Sequence, residues 1–150
     1  MIKQEIENDL KSAMLSGDKD LTTTLRTIKS VILDAEITEG VRDTGLAEDK
    51  IITLLIKESK KRQDSAEIYK QAGETSREKK ELDEKEIIAK YLPTMMGEEA
   101  ILAIAKEVIG SIEEPGMKNM GQIIGAVKGK AGVIADGGLI AKIVKDLLNQ

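Results

Sequence analysis

The sequence predicts an all-α protein: an N-terminal helical hairpin or bundle followed by a small three-helix C-terminal domain. Three observations carry that expectation. Apolar residues recur at spacings of three and four along almost the whole chain, the period of one helix face. No segment keeps the two-residue alternation of a strand, and Val133-Ile134-Ala135 is too short to make one. The interruptions between periodic segments are glycine and proline signals.

Each element follows in order. Ile2, Ile6, Leu10 and Ala13 give the first stripe, broken at Gly17-Asp18-Lys19-Asp20. Leu21, Leu25, Ile28, Ile32 and Ala35 give the second, and Gly40 and Gly45 bracket the next turn. Ile52, Leu55, Ser59, Ala66 and Tyr69 mark a long third helix that stops at Gly73-Glu74-Thr75-Ser76. A charged fourth helix has its apolar side at Leu82, Ile87, Ile88, Tyr91 and Leu92. Its Glu81/Lys85 and Glu86/Lys90 pairs lie four apart, each adding about 0.2–0.5 kcal/mol.

Pro93 cannot continue a helix interior, and it pushes the preceding residue toward extended geometry. A domain boundary is therefore expected at Pro93 to Gly97, giving 1–93 and 94–150. Composition shifts there too, since eight of the 13 glycines fall between 110 and 138. Glu98 and Glu99 open the next helix, where carboxylates suit the positive N-terminal dipole. Its apolar face is Ile101, Ile104, Ala105 and Val108, and Pro115-Gly116 ends the turn that follows. Met117, Met120, Ile124 and Val127 define another helix. Asp136 is an N-cap for the last, which carries Leu139, Ile140, Ile143, Val144, Leu147 and Leu148.

Composition narrows function. The chain has no His, Cys, Trp or Phe. Ser-His-Asp triads, cysteine nucleophiles, thiolate zinc and iron–sulfur sites are excluded. No catalytic constellation, metal site or cofactor is expected. Tyr69 and Tyr91 are the only aromatics, too few for a base-stacking platform. With 23 basic and 27 acidic residues the net charge is -4, so nucleic acid could be met only through a local patch. No apolar run approaches the roughly 20 residues of a membrane span. The charged, amphipathic start is unlike a signal peptide, and a cytoplasmic location is expected.

Two segments qualify as binding candidates. From 116 to 150, Lys118, Lys128, Lys130, Lys142 and Lys145 outnumber Asp136 and Asp146 by three charges. The same stretch sets Gly121, Gly125 and Gly129 on one helix stripe, and Gly132 follows. Each helical glycine costs about 1 kcal/mol against alanine. The spacing alone favours close helix–helix packing, with close approach of an RNA backbone as the other reading. Gly125-Ala126-Val127-Lys128-Gly129-Lys130-Ala131 is not a phosphate loop: only three residues separate its glycines, and no Ser or Thr follows the lysine. The second candidate is Lys57, Lys60, Lys61 and Arg62, the densest basic run. Arg62 falls on the apolar stripe, where it could snorkel, pair with a buried acid or face a partner. Glu58 and Arg62, and Lys60 and Asp64, can pair across a helical turn.

The order of motifs resembles the YqeY family, also called the GatB/YqeY domain family. The matching pieces begin with Asp9-Leu10-Lys11-Ser12-Ala13-Met14, Asp18-Lys19 and Leu25-Arg26-Thr27-Ile28-Lys29-Ser30. Lys61-Arg62-Gln63-Asp64-Ser65, Tyr69, Ala72-Gly73 and Tyr91-Leu92-Pro93 follow. Met117-Lys118-Asn119-Met120-Gly121, Gly125, Ala135-Asp136-Gly137 and Val144-Lys145 complete the match. The resemblance implies a C-terminal part like the tail of the GatB subunit of glutamine-dependent tRNA amidotransferases, which contacts tRNA without carrying the chemistry. Carried over, it nominates Lys118, Gly121, Gly125, Lys130, Gly132 and Asp136 for tRNA contact, and the neighbouring Lys128 is added to them as a lysine that would meet phosphate. Ile134 stands where relatives often have Arg or Lys before Ala-Asp. The expected partners are tRNA, amidotransferase subunits or another protein docked at Arg26, Lys61 and Arg62; no membrane or DNA role is expected. By resemblance alone, the activity class would be a carbon–nitrogen ligase with glutamine as amido donor.

Overall fold

The computed structural model describes residues 1–150 and contains seven α-helices, one 3₁₀ turn and no strand. It is all-α, as the apolar stripes require. The chain divides into two compact units, Met1–Leu92 and Pro93–Gln150.

The first unit holds α1 (Ile2–Ser16), α2 (Lys19–Glu39), α3 (Glu48–Gln71) and α4 (Thr75–Ala89). α1 packs on α2 and α3 on α4, and contacts of α2 with α3 and α4 join the pairs. The core is aliphatic: Ile6, Leu25, Ile28, Ile32, Ile51, Leu55 and Ile88 are fully buried. Each such side chain contributes about 1.5–3 kcal/mol relative to leaving it in water. Leu82, expected on the apolar side of α4, is instead 37% exposed, because only Ile88 of that helix reaches full burial.

Helix ends follow the local sequence. Gly17 and Gly40 close α1 and α2 in the left-handed region, with φ of 74° and 68°. There the N–H groups of Asp18 and Val41 reach back to the carbonyls of Ala13 and Glu36, at 3.0 and 2.9 Å. The Asp18 carboxylate then accepts the Leu21 N–H at 3.1 Å and caps α2.

Three carboxylates cross-link this unit. Glu36, 1% exposed, accepts from Lys3 Nζ at 2.6 Å and from the Leu46 N–H at 3.2 Å. It thereby ties α1, the end of α2 and the loop before α3. The Lys3 ammonium holds the Glu36 carboxyl below its ordinary range despite burial, and the Leu46 amide assists. Glu58, also buried, accepts from Lys61 and Arg62 on its own helix, and Arg62 Nε reaches Glu84 of α4 at 3.6 Å. Burial pushes Glu58 up, but the Lys61 and Arg62 hydrogen bonds outweigh it and leave the carboxyl lowered. Asp9 of α1 accepts from the Tyr91 hydroxyl and from Lys90 Nζ at 2.9 Å, and these bonds lower its carboxyl. Glu81 is the opposite case: burial and the nearby Glu84 charge raise it.

The second unit holds α5 (Glu98–Gly110), a 3₁₀ turn (Met117–Asn119), α6 (Met120–Ala131) and α7 (Gly137–Leu148). All three helices pack on one another around Ile101, Ala105, Val108, Ile123, Val127, Ile140, Ile143 and Val144. The Met96 N–H donates to the Ile134 carbonyl at 2.8 Å, fixing the segment before α5 to the loop before α7. The sequence places Met117 on the buried stripe of the middle helix, but Met117 is 48% exposed. The Gly116 N–H donates to the Asn119 side chain at 3.1 Å. The turn itself is 3₁₀, closed by the Asn119 N–H on the Gly116 carbonyl at 2.9 Å, and in α6 Ile123 and Val127 form the buried line.

Two substitutions test this architecture. Glu36→Ala leaves Lys3 and the Leu46 amide without their acceptor and should cost about 2–3 kcal/mol in chemical denaturation. Gly40→Ala, which forces a side chain into the left-handed region, should cost about 1 kcal/mol. In addition, Asp9, Glu36 and Glu58 bind protons less tightly folded than unfolded. Their stabilisation is therefore present above the unfolded carboxylate value of about 4 and is lost as pH falls through the lower folded values. Acid titration of stability should show this fall, and Glu36→Gln should flatten it.

Candidate nucleic-acid interface

The candidate face is the outer side of α6 with the turns at its two ends. Ile123, Val127 and Ala131 turn inward, so the helical period turns Gly121, Gly125, Lys128 and Gly129 to solvent. A Cβ built on Gly121, Gly125 or Gly129 would meet nothing within 4 Å, and none of the three has a positive φ. The packing expectation for this stripe is therefore corrected: no neighbouring helix approaches these glycines. Neither packing nor backbone strain requires glycine there, although each destabilises α6.

Charge surrounds the stripe. Lys118 lies exposed in the 3₁₀ turn before α6, and Lys128 and Lys130 lie in its last turn. Ten residues at about 1.5 Å rise put roughly 15 Å between the two ends of this basic strip. Lys130 Nζ pairs with Glu107 of α5 at 2.6 Å, both groups largely exposed. Such a pair is worth about 0–1 kcal/mol and is readily exchanged. Five of the unit's seven acids, Glu98, Glu99, Glu107, Glu113 and Glu114, lie on α5 and the loop after it, while Asp136 and Asp146 stand at the cap of α7 and within it, beside Lys142 and Lys145.

The start of α7 adds Gly137 and Gly138, which the sequence does not nominate for contact. Gly132, with φ of 74°, ends α6 and turns the chain toward Asp136. The Asp136 carboxylate accepts the Leu139 N–H at 2.8 Å and caps α7. Lys128 lies over this helix start: the Cβ position of Gly137 is 3.4 Å from its Cε and 3.5 Å from its Nζ. A Cβ on Gly138 would sit 3.1 Å from the Asp136 carboxylate and crowd the cap. The visible signal is the run Asp136-Gly137-Gly138, an N-cap followed by two residues without side chains. Lys128 and Asp136 are thus brought together at the α7 N-terminus, while Lys118 stands at the far end of α6. Asp136 serves as a cap there.

In the first unit the nominated partner residues separate. Arg62 is taken up by Glu58 and Glu84 with a side chain only 12% exposed, and Lys61 by Glu58. Of the readings open for Arg62, the structure selects pairing with a buried acid. Arg26 is exposed and makes no ion pair; its guanidinium lies 3.8 Å from Met14 Sδ. No group of three or more His, Cys, Asp or Glu residues could hold a metal ion, and no helix is long and apolar enough to cross a membrane.

An all-helical protein of two units, the smaller carrying an open glycine and lysine face, is what the geometry defines. The sequence matches the family model described as Yqey-like protein over residues 3–148. The chain belongs to the YqeY family. No curated protein matches it significantly.

Because the stripe is open, Gly121→Ala and Gly125→Ala should each stabilise the second unit by about 0.5–1 kcal/mol. Gly138→Ala should instead lower stability by crowding the Asp136 cap. Thermal melts followed by far-UV circular dichroism would check both signs.

Proposed function

We propose that the second unit is a tRNA-contacting module, and that the protein acts as a non-catalytic accessory to tRNA amidation in the manner of the GatB tail. The observation that carries this reading is the uncrowded glycine stripe between basic residues. Glycines that α6 does not need, and that cost it stability, fit a surface approached closely by a sugar–phosphate backbone. Backbone contacts and lysines position such a chain without reading bases. Lys118, Lys128 and Lys130 would meet phosphates, Gly121, Gly125 and Gly132 would allow the approach, and Asp136 would hold the α7 start in place. Family membership supports the reading, since the tail it resembles contacts tRNA.

The test is binding of the purified chain to bulk tRNA at two salt concentrations, with double-stranded DNA as control. Affinity for tRNA should fall steeply with salt and exceed that for DNA. Replacing Lys118, Lys128 or Lys130 by Gln should in each case reduce the logarithmic salt slope by about 0.7–0.9, the share of one phosphate. Gly125→Ala should bind more weakly although its unit is more stable, which separates approach from folding. Glu107→Gln, by releasing Lys130, and Ile134→Lys, by adding a cation, should strengthen binding. An unchanged salt slope in the lysine variants would remove them from the site.

A further inference from the structure

A cleft of about 320 Å³ opens between α2 and α4 of the first unit, at the small end of the roughly 300–1,000 Å³ of ligand pockets. None of its residues belongs to the face proposed to meet tRNA. Two pairs of residues four apart line it. Asp20 and Thr24 share one face of α2, and Ser76 and Lys80 share one face of α4. One wall thus carries a carboxylate and a hydroxyl, and the other an ammonium and a hydroxyl. None of the four side chains makes a hydrogen bond or ion pair within the protein. Ile87, further along α4, adds an apolar patch.

Thr24 is the clearest sign of a ligand. The other threonines of α2, Thr22, Thr23, Thr27 and Thr38, donate to the carbonyl four residues back, at 2.6 to 3.1 Å. Thr24 is 2% exposed, yet its hydroxyl has no partner. Native interiors pair nearly all such groups, because an unpaired one is destabilising. A helical threonine has two accessible rotamers, so this hydroxyl can turn to a group bound in the cleft.

The charges of the cleft balance. Asp20, Asp83 and Glu84 line it against Lys79 and Lys80, and Arg62 behind Glu84 makes three of each sign. The charged residues next to these in sequence also cancel, Lys19, Arg77 and Lys85 against Glu78, Glu81 and Glu86. Lys79 holds Asp83 at 3.2 Å, and Arg62 reaches Glu84 at 3.6 Å. Asp20 and Lys80 are left, opposite in sign and on opposite walls. Neither a lone anion nor a lone cation is selected; a molecule with one charge of each sign is.

We propose that this cleft binds a small zwitterion, its ammonium on Asp20 and Thr24 and its carboxylate on Lys80 and Ser76. The carboxylate end would lie by the first turn of α4, where the helix dipole favours negative charge. A polyol would use the hydroxyls and leave both charges idle. A nucleotide would find no aromatic ring to stack on and no excess of cations for its phosphates.

The test uses isotope-labelled full-length protein, amide chemical-shift mapping, and four probes of graded length: glycine, β-alanine, 4-aminobutyrate and 6-aminohexanoate. The controls are the methyl ester and the N-acetyl form of the best binder, each keeping one charge, and glycerol. At least one probe should shift the amides of 20–24 and 76–87 saturably, and both blocked forms should bind roughly tenfold more weakly. Asp20→Asn and Lys80→Gln should each weaken binding to the same extent, since both side chains are exposed and unpaired in the fold. Thr24→Val should weaken binding without lowering the melting temperature, and Thr24→Ser should keep binding. Absence of saturable shifts with all four probes, equal binding by a blocked form, or undiminished binding by Asp20→Asn or Lys80→Gln would overturn the proposal. Equal shifts with glycerol would overturn it in favour of a neutral hydroxyl site. A Thr24→Val protein that melts lower would remove the unpaired hydroxyl on which the site rests.

Discussion

One buried carboxylate holds much of the first unit in register. Glu36 lies at the end of an apolar stripe, where a leucine would otherwise continue the core, and it takes donors from two other segments. Burying that charge is tolerable only because Lys3 lies against it and the Leu46 amide completes the arrangement. Its consequences spread outward. Lys3 fixes the start of α1, whose Ile2 N–H in turn donates to Glu48 at the start of α3, at 3.0 Å. Leu46 is held so that its side chain is 6% exposed and closes the core beneath the loop. A hydrophobic residue at 36 could pack, but it would not specify which loop amide and which lysine meet there.

The same device recurs between α3 and α4. Arg62 lies between Glu58 and Glu84, so a long helix rich in charge still has a fixed partner face. Asp9 does the equivalent between α1 and the residues after α4. Aliphatic burial supplies the driving force in this unit, and directional carboxylate contacts select one arrangement of interchangeable Ile and Leu stripes.

Most of the fold was legible because helical periodicity is a strong signal over long stripes. Ile2, Ile6, Leu10 and Ala13 are all buried, as are Leu25, Ile28 and Ile32. The buried acids were not legible as such, though Glu36 continues the Leu25, Ile28, Ile32 stripe and Glu58 follows Leu55 by three. Acid on an apolar stripe is ambiguous until its cationic partner is known, and those partners come from distant segments that no local pattern encodes. The glycine stripe illustrates the reverse limit. Its spacing fitted tight packing as well as an open face, and only the positions of neighbouring helices decide between them. Residues nominated by chemistry alone fared unevenly: Lys128 and Asp136 meet at one helix start, whereas Arg62 is drawn inward by Glu58.

The placement of the two tyrosines has an optical consequence. Tyr69 and Tyr91 are the only chromophores of their kind, and both lie in the first unit. Tyr91 is 5% exposed, with its hydroxyl on the Asp9 carboxylate. Intrinsic emission and near-ultraviolet dichroism therefore report on the first unit, and the second is dark to both. A single sharp transition in tyrosine signal would describe only the first unit, and agreement with the amide signal becomes the criterion for whether the two units melt together.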